Sequence, residues 1–135
     1  MFLGEFEHTI DAKGRMAVPA KFRAHIDRGA VISKGKGTCL SVYTQQRWDE
    51  RSAELVAEKS SDELRDFERR IYPSANEVEL DMQGRMLIPA KLRAYAGLET
   101  EVTVAGVRDH FEIWDRAKWQ TYQEKLESEG GDIPF

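Results

Sequence analysis

The chain has 135 residues, a hydrophobic content of 41%, a charged content of 33% and a formal net charge of −4. This length and composition fit one globular domain with a substantial core. No apolar run approaches the roughly 20 residues of a membrane-spanning helix, and we expect no secretory signal in an amino-terminal segment without a basic start. The single cysteine, Cys39, excludes an internal disulfide framework and is expected to be a buried small residue.

The first part of the chain alternates between predicted strands and one helix. Apolar and polar residues alternate over residues 6–11, which predicts a half-buried strand, and residues 15–18 are predicted to return from it as a hairpin. Gly14 is expected at the positive-φ position of the connecting turn. Further along, the pattern predicts a short helix from Ala20 to about Asp27, preceded by Pro19, which suits a first helical turn, and strands at 30–33 and 38–43.

Two helices are predicted between residues 44 and 73. Thr44 is expected to be the N-cap of the first helix. Ser60 followed by Glu63 has the pattern of a capping box at the start of the second helix, and Pro73 is expected to end it. We expect this helical hairpin to connect the two halves of the chain.

Residues 77–94 repeat residues 7–24 at an offset of 70 positions. The segments are EHTIDAKGRMAVPAKFRA and EVELDMQGRMLIPAKLRA, and ten of their aligned positions are identical. Each unit is therefore expected to contain the order strand, strand, helix, strand, strand, and the two units can pack about a pseudo-two-fold axis. In the second unit, the predicted elements are strands at 77–81, 85–88, 101–105 and 110–114, a helix at 89–96, and a final helix capped by Asp115.

These elements predict an α+β fold in which tandem ββαββ repeats form a single pseudo-dimeric domain over residues 1–135. The first repeat with its helix is assigned to 1–58, the linker helix to 59–75, the second repeat with its helix to 76–129, and a flexible tail to 130–135.

Charge is unevenly distributed along the chain. Residues 11–28 carry a net charge of +3 and residues 81–93 a net charge of +2, whereas acidic residues concentrate at 49–68 and after Asp115. The overall acidity disfavours nucleic acid as a partner, and the basic repeats favour it. The uneven charge alone does not distinguish a binding patch from chance variation.

The sequence predicts no enzyme, no cofactor, no small-molecule substrate and no metal site. The histidines His8, His25 and His110 lie far apart and have no metal-ligand spacing, and no glycine-rich phosphate loop is present. A carboxylate pair at Asp11 and Asp81 leaves open a small hydrolase, but each aspartate lies four residues before an arginine that is expected to neutralise it.

The motif Asp-x-x-x-Arg occurs twice, as Asp11–Arg15 and Asp81–Arg85. In a structural interpretation, the aspartate accepts hydrogen bonds from the turn and the arginine bridges back to it. A surface ion pair contributes at most about 1 kcal/mol, which is little reason for two diverged copies to share this turn. A guanidinium held by a carboxylate is also a preorganised fork for phosphate or guanine, so two such hairpins could enter a DNA major groove as β-ribbons.

The candidate DNA-binding residues are Arg15, Lys13, Arg85, Lys21, Arg23, Lys91 and Arg93, and Asp11, Gly14, Asp81 and Gly84 are expected to be structural.

The segments DAKGRMAVPAKFR and DMQGRMLIPAKLR resemble the tandem DxxxR motifs of the MraZ family, bacterial transcriptional regulators of the division and cell-wall gene cluster. The likeness also covers the MFLGEF start, the helical linker and the terminal tryptophan-bearing helix. It implies an AbrB-like, pseudo-dimeric swapped-hairpin β-barrel with flanking helices. It also implies a homo-oligomer in closed rings, located in the cytoplasm at the nucleoid, that binds direct repeats in double-stranded promoter DNA.

The resemblance implies that Arg15 and Arg85 face DNA, with Lys13 beside the first. Gln83 replaces Lys13 in the second turn, so we rank the first hairpin above the second for DNA affinity. Several weakly basic patches on one ring would bind repeated sites at a high local concentration, which reconciles the net acidity with DNA binding. The alternative is a ring-forming protein–protein assembly module that does not contact DNA. The operator sequence, repression or activation, and the ring size stay open.

Overall fold

The computed structural model describes residues 1–135, and the chain has an α+β architecture. The first repeat contains β1 (Glu5–Thr9), β2 (Arg15–Ala17), α1 (Ala20–Ile26), β3 (Ala30–Lys34), β4 (Leu40–Thr44) and α2 (Gln45–Glu58). After α3 (Ser61–Ile71) and a 3₁₀ turn (Tyr72–Ser74), the second repeat contains β5 (Asn76–Glu77), β6 (Arg85–Leu87), α4 (Ala90–Ala96), β7 (Glu101–Gly106), β8 (Phe111–Asp115) and α5 (Arg116–Glu129). The predicted order of elements in each repeat is confirmed. None of the helices has both the length and the apolar content needed to cross a bilayer.

Eight strands form two separate antiparallel sheets. The larger sheet has the order β1-β7-β8-β4-β3-β5, and β2 and β6 form a two-stranded ribbon. The strands β1 and β5 each have a neighbour on one side only. The larger sheet is therefore not closed into a barrel, which differs from the closed barrel that the family resemblance implied.

Strand pairing joins one repeat to the other. The strand β1 of the first repeat pairs with β7 of the second, β5 of the second pairs with β3 of the first, and β2 pairs with β6. The prediction that β1 and β2 form a regular hairpin is wrong beyond the turn, because a single bridge between Ile10 and Met16 joins them. In the second repeat, β5 (Asn76–Glu77) includes only one residue of the predicted strand 77–81, and an isolated bridge joins Leu80 to Met86.

The helix boundaries follow local signals in the sequence. The side chains of Thr44 and Asp115 accept hydrogen bonds from the third backbone N–H of α2 and α5, as the predicted N-caps. Ser60 and Glu63 make both hydrogen bonds of the predicted capping box. Gly97 ends α4 with a φ of 64°, a left-handed conformation that glycine adopts at low cost.

One hydrophobic core contains residues from both repeats. Phe22 of α1 is 1% exposed and makes edge-to-face contacts with Phe2 and Phe6, at centroid distances of 5.2 and 5.3 Å. It also stacks at 5.1 Å on Phe111 of the second repeat. Cys39 is buried as predicted, and this burial raises the pKa of its thiol to about 12.

We expect Phe22→Ala to lower the free energy of unfolding by about 3–5 kcal/mol, because it removes a ring that packs against both repeats and leaves a cavity. Val56→Ala is the control, since Val56 is 55% exposed on α2, and its effect should stay within about 0.5 kcal/mol. Urea unfolding measures both variants. Equal losses in the two variants would contradict the central position of Phe22 in the core.

Candidate nucleic-acid interface

Each Asp-x-x-x-Arg motif forms a tight turn around its aspartate. Asp11 Oδ1 accepts the backbone N–H groups of Lys13 and Arg15, both at 2.9 Å, and Asp11 Oδ2 accepts Arg15 Nε at 2.8 Å. Asp81 makes the same three hydrogen bonds in the second turn, each at 2.9 Å. The aspartates organise the turns and hold one edge of each guanidinium group.

The same hydrogen bonds set the charge of the two aspartates. Backbone N–H donation from Arg15, followed by the Arg15 side chain, lowers the pKa of Asp11 below its ordinary value of 3.8. Backbone donation from Arg85 has the same effect on the pKa of Asp81. Both carboxylates are ionised at neutral pH and cannot act as general acids, and both oxygens of each accept hydrogen bonds from the turn.

The β2–β6 ribbon brings the two motifs together. Met16 faces Met86 at the centre of the pair, and both side chains are fully buried. Successive side chains of a strand point to opposite faces, so the neighbours of these methionines lie on the outward face. That face carries two cross-strand pairs, Arg15 with Leu87 and Arg85 with Ala17.

The two arginines belong to one continuous patch. Arg85 Nη1 lies 3.7 Å from Asp11 Oδ2 of the other repeat, so the two turns are in electrostatic contact. The Arg15 and Arg85 side chains are 33% and 29% exposed. The Nη groups of Arg15 make no hydrogen bond within the chain and remain available to a ligand.

The turn tips add exposed side chains to the patch. Lys13 and Gln83 occupy equivalent positions, and both side chains are exposed without a hydrogen bond to the protein. Met82 is fully exposed and Leu87 is 59% exposed, although both are large apolar residues. Sequence reasoning did not select these two residues. The available signal was the period of two in β6, which places Leu87 on the same face as Arg85.

Arg23 and Arg93 pack against the two turns and have structural roles. Each Nε donates to a backbone carbonyl five residues earlier, at 2.8 Å for Arg23 and 3.0 Å for Arg93. A Cβ atom on Gly84 would lie 2.6 Å from Arg23 Cζ, and one on Gly14 would lie 3.1 Å from Arg93 Cζ. Each arginine therefore packs against the turn of the other repeat, a structural role that the sequence did not indicate.

The remaining candidates lie at the edge of the patch. Lys21 and Lys91 are exposed in the first turns of α1 and α4 and form no ion pair within the chain. Elsewhere, no group of three or more histidine, cysteine, aspartate or glutamate side chains is arranged to hold a metal ion. The patch consists of two aspartate-held arginines, surrounded by exposed lysines, a glutamine and two apolar side chains.

Comparisons with known proteins match nearly the whole length of the chain. A family model described as "MraZ protein, putative antitoxin-like" matches twice, over residues 1–70 and 71–132. A protein of Acetivibrio thermocellus named Transcriptional regulator MraZ is 43% identical over 123 residues, which cover 90% of this chain and 86% of that protein. Proteins of the same name from Thermomicrobium roseum and Lactiplantibacillus plantarum are each 42% identical over 134 residues, covering 98% of this chain and 94% and 95% of theirs.

The pKa values of Asp11 and Asp81 can be measured by NMR titration of the carboxyl carbons, and both should lie below 3.8. Arg15→Ala should raise the pKa of Asp11 only part of the way back to its ordinary value of 3.8, because the backbone N–H of residue 15 still donates to the carboxylate. Since the pKa values are lowered on folding, the turns stabilise the protein above about pH 4, and this stabilisation is lost as the pH falls through the lowered values. Complete return of the Asp11 pKa in the variant would contradict the leading role of the backbone.

Proposed function

Because the chain belongs to the MraZ family, we propose that it is a transcription regulator that binds double-stranded promoter DNA through the β2–β6 ribbon. The observation that carries this proposal is the position of Arg15 and Arg85 on one outward face, each held by an aspartate. Three relatives from different bacteria carry the name transcriptional regulator, which supports the same class of function.

The geometry of the ribbon suits recognition in the major groove. A two-stranded β-ribbon fits this groove, and arginine donates two hydrogen bonds to O6 and N7 of guanine. The aspartate holds Nε and fixes the plane of the guanidinium, so less side-chain entropy is lost when the Nη groups bind. Lys21 and Lys91 would contact phosphates, and Arg23 and Arg93 would do so through the nitrogens that their structural bonds leave free. Lys13, at the tip of the first turn, would contact either a phosphate or the edge of a base.

We also propose the finer architecture and assembly that the family resemblance implied. The exchange of β1 and β5 between the repeats supports an AbrB-like swapped-hairpin fold, here with an open main sheet. Its units would be residues 1–58 and 76–129, joined by 59–75 and followed by a flexible tail at 130–135. Chains would form closed rings on direct repeats upstream of the division and cell-wall genes, in the cytoplasm at the nucleoid, and occupancy would repress transcription.

The rival function is ring assembly without DNA binding. It is favoured by the net charge of −4 and by Tyr122 and Leu126 of α5, which are each 41% exposed. The two functions differ in two observables, because only DNA binding depends on Arg15 and only DNA binding weakens steeply with salt.

We expect Arg15→Ala to weaken binding to the DNA upstream of the protein's own gene by at least about 1–3 kcal/mol, the usual value of one bidentate base contact. A gel-shift titration at several salt concentrations measures this loss. Arg65→Ala is the matched control, because Arg65 has the same charge and is 67% exposed on α3.

Unchanged affinity in the Arg15 variant, or equal losses in both variants, would contradict recognition by the ribbon. Intact rings with no DNA binding by the unmodified protein at any salt concentration would favour the assembly module.

A further inference from the structure

We propose that the two turns of the ribbon recognise different base pairs, so that one chain binds a non-palindromic site. Beside the contacts proposed for Arg15 and Arg85, the tip of the first turn, which carries Lys13, is assigned to a G·C pair, and the tip of the second, which carries Met82 and Gln83, to an A·T pair. This inference rests on the proposed function and adds the class of base that each turn selects.

The backbones of the two turns are the same, but their tips are chemically different. Both turns have an aspartate with the same three hydrogen bonds and a glycine at positive φ, 83° for Gly14 and 74° for Gly84. At the two tip positions, the first turn has Ala12 and Lys13 and the second has Met82 and Gln83. Equal scaffolds with unequal tips would place different functional groups at equivalent points of a ligand.

Gln83 has the chemistry for adenine. Its side-chain amide is exposed and has no hydrogen-bond partner in the protein, so both its donor and its acceptor are free. Glutamine pairs in a bidentate manner with N6 and N7 of adenine, whereas lysine donates only and suits O6 and N7 of guanine. The exchange of Lys13 for Gln83 therefore changes the preferred purine as well as removing a positive charge.

Met82 has no structural reason to be apolar. Its side chain is fully exposed and therefore stabilises neither the core nor the turn. An exposed apolar side chain at a loop tip is a feature of contact surfaces. In the major groove, the thymine methyl group is the apolar feature of the base edges. A methionine next to a glutamine would contact thymine while the glutamine pairs with adenine.

A second asymmetry on the ribbon face also makes the two halves of the contact surface unlike. Arg15 lies opposite Leu87, which is 59% exposed, and Arg85 lies opposite Ala17. The pseudo-two-fold axis through the Met16–Met86 pair therefore exchanges unlike surroundings for the two arginines. A site that fits this face has a direction, which matches direct repeats better than palindromes.

The experiment selects duplexes from a random pool with the full-length protein and with two tip-exchange variants. Met82→Ala with Gln83→Lys gives the second turn the tip of the first, and Ala12→Met with Lys13→Gln does the reverse. We expect the unmodified protein to enrich a site with a G·C position and an A·T position. The first variant should convert the A·T position to G·C, and the second should convert the G·C position to A·T. Competition binding should show about 5- to 140-fold discrimination at the converted position.

A chemical probe tests the methionine separately. Uracil in place of thymine removes only the C5 methyl group, so it should weaken binding of the unmodified protein about 4-fold and leave the Met82→Ala variant unaffected. Light scattering on Met82→Ala shows whether the residue serves assembly instead.

The outcomes separate the inference from the function on which it rests. No enrichment of any duplex by the unmodified protein would overturn the proposed function. Enrichment of one and the same site by all three proteins would overturn only the assignment of bases to turns. A change in particle mass for Met82→Ala with unchanged base preference would also overturn it, and would assign Met82 to a protein contact.

Discussion

The antiparallel pairing of β2 with β6 is the contact on which the arrangement of the interface depends. Each strand has only three residues, and the central residue of each is a fully buried methionine. With the methionines directed inward, the alternation of side chains leaves the arginines no position except the outward face. A shift of either strand by one residue would turn its arginine toward the core, where a charged group is costly to bury, so the core fixes the geometry of the ribbon face.

Electrostatics at the ribbon combine local neutralisation with exposed charge. Asp11 and Asp81 balance the arginines that they hold, so the ribbon itself contributes little net charge, and the exposed lysines around it supply the positive potential. Asp11 is the more shared of the two carboxylates, since Arg15 Nε lies 2.8 Å and Arg85 Nη1 3.7 Å from its Oδ2 atom. In the proposed DNA complex, specific hydrogen bonding and long-range attraction would therefore come from different side chains, and only the long-range attraction would be strongly screened by salt.

Local features were predictable from the sequence, whereas strand partners were not. The caps at Thr44, Ser60 and Asp115 and the positive-φ glycines depend on neighbours within a few positions along the chain, so local sequence patterns identify them. The pairing of β1 with β7 depends on residues about a hundred positions apart, and both repeats have the same alternating pattern, so periodicity cannot state which copy supplies the partner. The packing of Arg23 against Gly84 could not be predicted from the sequence for the same reason, because the two residues belong to different repeats.

The exchange of strands also has a consequence for biosynthesis. Glu5 and Thr9 of β1 hydrogen-bond to no neighbour until Ala105 and Glu101 exist, since β7 is the only strand paired with β1. At a synthesis rate of about 5–20 residues per second, β1 remains without its partner strand for roughly 5–20 seconds. The nascent amino-terminal half therefore cannot complete its sheet before the second half emerges from the ribosome.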